Sequence, residues 1–426
     1  MKSLILDFLE NTHYGEVQIA LPDGEQRLVG EPNGSPPVEL RILDETFFQR
    51  VAFKGDIGLG ESYIEGEWEA SDPAELIAWF IRNKDSLMSK RFQWAMPIVS
   101  KLFAFQERFL HRKNANTRSG SRRNIEAHYD LGNDFYELFL DETMTYSSAY
   151  FAEESMTLAD GQREKYDRIC RKLNLSPTDR VLEIGCGWGG FACYAAKRYG
   201  CYVTGITLSP SQFDYAEARV RQEGLQDRVE IQQIDYRDVT GSFDKVASIE
   251  MIEAVGHEHL PTYLKAIDSL LTPDGLACIQ IIMSADHRYD AYCRESDFIR
   301  KHIFPGSHLP SIGSLFEAKE DADLNAYHLE TFGLHYAETL RRWKRRFEAN
   351  WPKIANLGFT ERFRRKWRLY FDYCTAGFEE RHINLAQVVL GRMNCQSYSY
   401  ELAEQEERRS GPSAFTEQTT LNAANA

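Results

Sequence analysis

The feature that most constrains the fold is an apolar run that ends in a cluster of glycines, residues 181–190. Residues 181–184 have the composition of a buried strand, and residues 191–198 have the pattern of a helix. A strand, a tight glycine turn and a helix form the first unit of a nucleotide-type binding fold. Glycine suits such a turn because it lets the backbone approach a ligand closely or adopt a positive φ.

The spacing of these glycines leaves more than one interpretation open. Gly185, Gly187 and Gly189 alternate along the turn, and Gly190 stands three residues after the second glycine, as a dinucleotide fingerprint requires. Glu183, two residues before the first glycine, instead favours S-adenosylmethionine (SAM). A strand-to-helix turn with no ligand is the third interpretation.

Strand and helix patterns alternate after this unit. Predicted strands cover residues 202–207, 229–235, 243–250 and 276–282, and predicted helices cover residues 213–223, 337–352 and 361–373. This alternation predicts an α/β protein with a doubly wound parallel sheet and a ligand at the carboxyl ends of the strands. Residues 291–317 are predicted to be a long irregular insertion that covers the substrate.

The first 80 residues or so are predicted to form a smaller α+β domain. Three alternating segments predict strands at residues 16–21, 26–29 and 38–43, and a glycine-rich bend is expected over residues 55–68. Asp72 and Pro73 predict the start of a helix. This domain either docks lipid or has a purely structural role.

Residues 81–123 are predicted to be a basic amphipathic linker. From residue 82 to residue 123 the chain has eleven Lys or Arg residues against two acidic ones, interleaved with aromatic and aliphatic residues. Such a pattern is typical of a helix on an anionic membrane, although a packed helix with a solvated basic face fits it nearly as well. Further Lys and Arg residues in the two predicted helices at 337–352 and 361–373 favour an anionic phospholipid surface as a partner.

Composition excludes several other classes of protein. The net charge of −14 argues against a general nucleic-acid binder. The eight cysteines form no CxxC pair or metal-type spacing, so reduced thiols and no metal site are expected.

The N-terminus is too acidic for a signal peptide, and no apolar run approaches the ~20 residues that span a bilayer. These patterns predict a cytoplasmic protein, peripheral on the inner membrane face. Residues 404–426 are predicted to be disordered, and the oligomeric state is open, with a homodimer among the alternatives.

Residues 124–395, the predicted catalytic domain, resemble the cyclopropane-fatty-acyl-phospholipid synthase family, which are SAM-dependent, mycolic acid cyclopropane synthase-like methyltransferases. The matching motifs lie in order at residues 128–133, 144–151, 181–190, 206–212, 235–238, 251–256, 303–306, 333–336 and 381–389. The resemblance implies a Rossmann-like class I SAM-dependent methyltransferase fold. It also implies that the protein adds a methylene unit to cis double bonds of phospholipid acyl chains.

The resemblance carries over residue roles by motif. It implies that SAM contacts the following residues, to which the turn acid Glu183 is added: Tyr146, Ser147, Gly185, Gly187, Thr207, Leu208, Gln212, Asp235 and Tyr236. Ring closure requires a base, which in this family is a bound bicarbonate. The positions that match its ligands are Glu253, Tyr336, Ser148, Gln280 and Ile282.

Two of these positions depart from the common pattern of the family. Ser148 stands where many bacterial members have cysteine, and Gln280 stands where they have histidine. Serine keeps the backbone amide and glutamine can still donate to an anion, so bicarbonate binding is expected to survive. Cyclopropane formation is the leading prediction. The alternatives are an alkene methyltransferase that gives methyl-branched or methylene lipids, and a lipid-binding relative without catalysis.

Overall fold

The structure is a computed structural model that describes residues 1–84 and 131–398. Most of the predicted linker, and the whole of the predicted disordered tail, lie outside the described residues. The described strands are β1 (Gly15–Ala20), β2 (Gln26–Glu31), β3 (Val38–Ile42), β4 (Trp68–Ala70), β5 (Arg180–Ile184), β6 (Tyr202–Thr207), β7 (Val229–Gln233), β8 (Phe243–Ile249), β9 (Leu271–Ser284), β10 (Asn325–Thr331) and β11 (Ile383–Gly391).

The described α-helices are numbered in the same way. They are α1 (Lys2–Leu9), α2 (Thr46–Ile64), α3 (Pro73–Arg82), α4 (Asn133–Glu137), α5 (Leu158–Lys172), α6 (Gly190–Tyr199), α7 (Pro210–Gln222), α8 (Leu260–Leu270), α9 (Asp286–Arg294), α10 (Phe298–His302), α11 (Ile312–Glu317), α12 (Gly333–Ala349), α13 (Trp351–Asn356) and α14 (Glu361–Glu379).

Seven strands form the large sheet, in the order β10-β11-β9-β8-β5-β6-β7. The strands from β9 to β7 run parallel, whereas β11 is antiparallel to both β9 and β10. The chain order reverses beside β5, whose neighbours β6 and β8 lie on opposite sides of it. The predicted doubly wound α/β sheet is therefore confirmed. A ligand is expected at the carboxyl edge, where the order reverses.

The small sheet has the order β2-β1-β3-β4, and its first three strands agree with the predicted ones. The predicted start of α3 is also confirmed, since the Asp72 carboxylate accepts from Ala74 N at 2.9 Å and Glu75 N at 3.2 Å. An N-terminal carboxylate satisfies amides that have no partner within the helix.

The predicted bend over residues 55–68 is confined to Gly55, where α2 is kinked into two helical segments, and the chain from there to Ile64 is helical. Gly55 alone leaves the helical conformation, with φ 54°. The next two glycines serve close packing instead. A Cβ on Gly58 would collide with the Arg50 carbonyl oxygen, and one on Gly60 would collide with the Phe298 ring.

The small sheet and the large domain share one apolar core. Trp68 and Trp79 belong to the same buried cluster as Phe135 and Trp367. From α14, Arg365 donates to the carbonyl oxygens of residues 63 and 68, at 2.5 and 3.0 Å. Packing and backbone hydrogen bonds therefore hold the N-terminal unit against the rest of the protein.

The second basic cluster, on α12 and α14, is mostly paired within the protein. Lys344 Nζ lies 2.6 Å from Asp372, and Arg342 and Arg345 share Glu338. Further pairs are Arg341–Glu379, Arg362–Glu65, Arg364–Glu348 and Arg368–Glu348. These charges are therefore engaged within the protein, and most of the first basic stretch, residues 85–123, lies outside the described residues.

The segment 291–317 is more regular than predicted. It contains the end of α9 and the whole of α10 and α11, because Asp297 and Ser311 cap the two later helices. His308 N donates to the Glu253 carbonyl oxygen at 2.8 Å, so the segment covers one side of the predicted catalytic residues. None of the helices in residues 1–84 and 131–398 is both long enough and apolar enough to cross a membrane.

The packing of Gly60 yields a stability test. Gly60→Ala should lower the free energy of unfolding by about 1–3 kcal/mol, because the added methyl group overpacks against Phe298. Alanine is the better helix former, so propensity alone predicts the opposite sign. Urea denaturation followed by circular dichroism measures the change. Gln49→Ala, at an exposed position of α2, is the control and should shift stability by less than about 0.5 kcal/mol. Unchanged or increased stability of Gly60→Ala would contradict this packing.

Candidate active site

A cleft opens at the carboxyl ends of β5, β6 and β8, where the strand order reverses. Nine of the ten predicted cofactor-binding residues line it: Tyr146, Ser147, Glu183, Gly185, Gly187, Thr207, Leu208, Gln212 and Tyr236. The tenth, Asp235, is not among the lining residues. Its carboxylate accepts from Arg237 Nε at 2.8 Å and from Nη2 at 2.6 Å. Asp235 therefore holds the turn after β7.

The glycine turn shapes the floor of the cleft. Gly185 and Gly187 have φ values of 84° and 52°, which disfavour residues with a Cβ. The amides of Gly185 and Cys186 donate to the Ile206 carbonyl oxygen at 3.0 and 2.9 Å, and they tie the turn to β6. A Cβ on Gly187 would meet no atom within 4 Å, so it would project into open space at the cleft.

Glu183 is a buried acid at the end of β5. Burial raises the pKa of its carboxyl group to about 8. Its Oε2 atom has no hydrogen-bond partner among the described residues. A buried carboxylate oxygen without a partner is costly, and a cationic or hydrogen-bonding ligand in the cleft would relieve that cost.

The far side of the cleft is formed by β6 and the segment after β7. Thr207 Oγ1 donates to Gln212 Oε1 at 2.9 Å, so the side chains of these two predicted residues are held together. The Tyr236 ring packs edge-on against Tyr263, with 5.5 Å between ring centroids. These contacts fix polar and aromatic groups among the residues that are predicted to contact SAM.

Beside the cleft, three donors converge on the carboxylate of Glu250. Ser148 N donates to Oε1 at 2.9 Å, Gln280 Nε2 donates to Oε1 at 2.8 Å, and Tyr336 OH donates to Oε2 at 2.7 Å. Glu250 directly follows β8 and also lines the cleft. Its backbone has φ 51°, an unusual conformation for a residue other than glycine.

A chain of hydrogen bonds fixes the orientation of the Gln280 amide. Gln387 Nε2 donates to Gln280 Oε1 at 2.9 Å, and Lys172 Nζ donates to Gln387 Oε1 at 2.6 Å. Lysine can only donate, so Gln387 must present its oxygen to Lys172 and its NH₂ to Gln280. Gln280 in turn must direct its own NH₂ toward Glu250. The site is therefore built to bind an anionic oxygen.

The charge of Glu250 is balanced by the buried Lys165. Burial is the largest influence and raises the pKa of Glu250 above its ordinary value, while its three donors and the Lys165 charge oppose this rise. Burial also lowers the pKa of Lys165 to about 8. Lys165 Nζ donates to Ser147 Oγ at 2.7 Å, which links this charge to a predicted cofactor residue.

Glu253 is the second carboxyl group of the site. Its Oε1 accepts from Ile282 N at 2.6 Å, whereas its Oε2 is buried with no partner among the described residues. Burial, followed by the nearby charge of Glu250, raises the pKa of Glu253 to about 8. Glu253 is therefore mostly neutral near pH 7.

Aromatic rings enclose the space beside these acids. The Tyr146 ring lies 5.2 Å from Trp343 and 6.2 Å from Phe304, and its hydroxyl lies 3.1 Å from that of Tyr370. The Tyr336 ring stacks on Phe378 at 4.5 Å. Such a wall excludes water and presents ring faces that stabilise positive charge.

The structure also gathers a group of residues that sequence spacing does not predict. The ligand atoms of His257, Cys293 and His308 lie within 4.8 Å of one another. The Tyr289 hydroxyl lies 2.7 Å from His257 Nδ1 and 2.8 Å from His308 Nε2, so it links the two imidazoles. The expectation of no metal site rested on the spacing of cysteines along the sequence. Such spacing carries no information about residues that are far apart in the chain and meet only in the fold.

All five predicted catalytic residues lie around the two carboxyl groups, but their partners differ from the prediction. Ser148, Gln280 and Tyr336 contact Glu250, while Ile282 contacts Glu253. The sequence reasoning missed Glu250 and Lys165. Glu250 carried a signal, an acid at the carboxyl end of a predicted strand, whereas Lys165 carried none because its role depends on packing.

Known proteins resemble this chain over most of its length. The family model of mycolic acid cyclopropane synthetase matches residues 116–388. The tuberculostearic acid methyltransferase UfaA1 of Mycobacterium tuberculosis is 38% identical over 352 residues, which cover 81% of each protein. The cyclopropane-fatty-acyl-phospholipid synthase of Escherichia coli K12 is 36% identical over 367 residues, which cover 84% of this chain and 89% of that protein.

Solved structures give the same result. The cyclopropane synthase MmaA2 of Mycobacterium tuberculosis has a TM-score of 0.60 and 28% identity, covering 64% of this chain and 98% of that one. The mycolic acid cyclopropane synthase CmaA1, complexed with SAH and CTAB, has a TM-score of 0.59 and 30% identity, covering 63% and 97%. These findings confirm the predicted resemblance and fold class. The chain belongs to the mycolic acid cyclopropane synthetase family and is a SAM-dependent methyltransferase with a Rossmann-like class I fold.

Proposed function

We propose that the protein transfers a one-carbon unit from SAM to a cis double bond of an unsaturated phospholipid acyl chain, with a cyclopropane as the leading product. The observation that carries the proposal is the pair of acids, Glu250 and Glu253, held directly beside the cofactor cleft. A methyl transfer to oxygen or nitrogen also releases a proton, but water can accept a proton from a heteroatom, so such a reaction does not require a base fixed inside an apolar site. Addition to an alkene needs one, because the cationic adduct must lose a proton.

The aromatic enclosure supports an apolar substrate. An alkene is a weak nucleophile, so it must be held in line with the methyl donor, away from water. Tyr146 lines the cleft and packs against Trp343 and Phe304, so it supplies an apolar aromatic surface that can stabilise positive charge. The segment 291–317, which contacts Glu253 through His308, covers the same region.

The residues of the cleft fit SAM. The orphaned Glu183 oxygen suits the ammonium group of the cofactor, the Gly187 turn leaves room for close backbone approach, and Gln212 suits a ribose hydroxyl. SAM supplies an electrophilic sulfonium methyl group when it is bound. Three residues, Lys165, Ser147 and Tyr146, then hold the bound methyl donor so that it faces Glu250.

A second candidate is an alkene methyltransferase that gives a methylene lipid, or a methyl-branched lipid when a separate reductant acts on it. Two observations support this second candidate. A relative at 38% identity is named a tuberculostearic acid methyltransferase, and the base region of this chain departs from the common pattern at Ser148 and Gln280. Both products require loss of a proton after methyl transfer, so the same acids serve either reaction.

The assay for the function uses vesicles of cis-monounsaturated phospholipid with SAM. We expect the acyl chains to gain the mass of one CH₂ and to show the high-field proton resonances of a cyclopropane. Lipid mass spectrometry and proton NMR measure the two results. Vesicles of saturated phospholipid are the control and should be unchanged. Vinylic or branched-methyl resonances would support the second candidate, and no mass gain would refute both.

The peripheral membrane contact is tested separately. The double charge reversal Arg112→Glu and Lys113→Glu should weaken co-sedimentation with anionic vesicles several-fold at low salt, and the difference should shrink as salt is raised. Arg345→Glu is the matched control, because Arg345 is already paired with Glu338 on the protein surface. Equal losses in the two variants would contradict a role specific to the segment 85–123.

Proton release tests the role of Glu183. Its carboxyl group, with a pKa raised to about 8, is protonated in the free protein at about pH 6.5. Pairing with the SAM ammonium favours the ionised form, so binding should release a proton. Titration calorimetry in buffers of different ionisation enthalpy measures this release, which Glu183→Gln should remove while weakening affinity. Glu230→Gln, an exposed acid on β7, should change neither quantity. Binding by the wild-type protein without proton release would exclude this pairing.

A further inference from the structure

The residues expected to bind bicarbonate do not fit a free anion. Three of the four predicted donors, from Ser148, Gln280 and Tyr336, already donate to the carboxylate of Glu250. The fourth, the Ile282 amide, donates to Glu253 at 2.6 Å. Every donor of the predicted anion site is therefore satisfied by a side chain of the protein itself.

We propose that the carboxylate of Glu250 replaces bicarbonate and is the built-in base of the reaction. The inference rests on the proposed function, since it assigns a role within that chemistry. A carboxylate has the same planar pair of oxygens as bicarbonate and accepts the same hydrogen bonds. Attachment to the chain removes the entropy loss of capturing a dissolved ion and holds the base in place.

The surroundings of Glu250 support a catalytic role over a structural one. The residue lines the cleft together with the predicted SAM-binding residues, so it lies at the predicted cofactor site. Its backbone is held at φ 51°, a conformation that is strained for residues other than glycine. Such strain persists where the surrounding contacts impose it, as the three donors do here.

Neighbouring side chains also stabilise the ionised form of Glu250. Gln280 must direct its NH₂ toward Glu250, because Gln387 and Lys172 fix the orientation of its amide. Lys165 adds a positive charge nearby, whereas Glu253 has a pKa of about 8 and is neutral near pH 7. Proton acceptance therefore falls to Glu250, and Glu253 avoids placing a second negative charge beside it.

Methyl transfer followed by proton removal conserves atoms and electrons. The sulfur–methyl bond breaks as a carbon–carbon bond forms to the alkene, which leaves a neutral sulfide and a carbocation on the lipid. Glu250 takes one proton from the new methyl group, and the electron pair of that C–H bond closes the cyclopropane ring or forms a methylene double bond. Glu250 then returns the proton to water, so each turnover releases one proton.

The first test measures bicarbonate binding and needs no turnover. Carbon-13 NMR of labelled bicarbonate should detect no binding to the wild-type protein, but should detect binding to Glu250→Gly, which exposes the three donors. Glycine also suits the positive φ at this position, so the variant should fold. Glu250→Gln is the matched control, because it fills the same space without a negative charge and should not bind the ion. Bicarbonate binding by the wild-type protein would overturn the proposal.

The second test measures turnover on cis-monounsaturated vesicles in buffer depleted of carbon dioxide. The wild-type rate should be the same with and without added bicarbonate. Glu250→Gly should lose about 10²–10⁴-fold in rate and recover at least part of it with bicarbonate, whereas Glu250→Gln should lose activity without recovery. SAM affinity, measured by calorimetry, should be retained in both variants.

The outcomes separate the two proposals. Wild-type turnover that requires bicarbonate, or full activity of Glu250→Gly without it, would overturn the role of Glu250 and leave the proposed function intact. Absence of wild-type turnover on any lipid would refute the proposed function. In that case the binding test still decides whether Glu250 occupies the place of the anion.

Discussion

The active site depends on a carboxylate that is held by donors from three separate parts of the chain. Removing Glu250 from bulk water is costly, and each hydrogen bond to a charged group offsets about 1.5–3 kcal/mol of that cost. The donors come from the segment after α4, from β9 and from α12. The large sheet, the helix that follows β10 and the loop before α5 must therefore all be in place before Glu250 is stable as an anion.

The same requirement explains why the supporting polar groups extend far beyond the cleft. Gln280 is oriented by Gln387, which is oriented by Lys172, and Lys172 is paired with Glu330 at 2.6 Å. Glu330 belongs to β10, at the edge of the sheet. A row of buried polar groups thus connects the edge strand to the reacting centre, and each member satisfies the next.

The smaller N-terminal sheet contributes to this arrangement through packing. Arg365 of α14 donates to two of its carbonyl oxygens, and α14 also carries Tyr370, whose hydroxyl contacts Tyr146 in the cleft. The glycine at position 60 allows α2 to approach Phe298, which belongs to the segment 291–317 that covers the site. Helix α14 therefore links the N-terminal unit to the aromatic residues beside the cleft.

The sequence by itself determined the features that local order encodes. The strand, glycine turn and helix at residues 181–198 and the alternation that follows could be predicted from local patterns. Glu183 could be predicted from its place before the glycine turn, and Thr207 and Gln212 from a short family motif that spans the end of β6 and the start of α7. The helical residues after Gly55 were mispredicted because Gly58 and Gly60 allow close packing against Arg50 and Phe298 and do not form a bend. Only the tertiary structure decided which group receives the donors of Ser148, Gln280 and Tyr336. These residues are far apart in the chain, and packing alone brings them onto Glu250 and leaves none of them for a free anion.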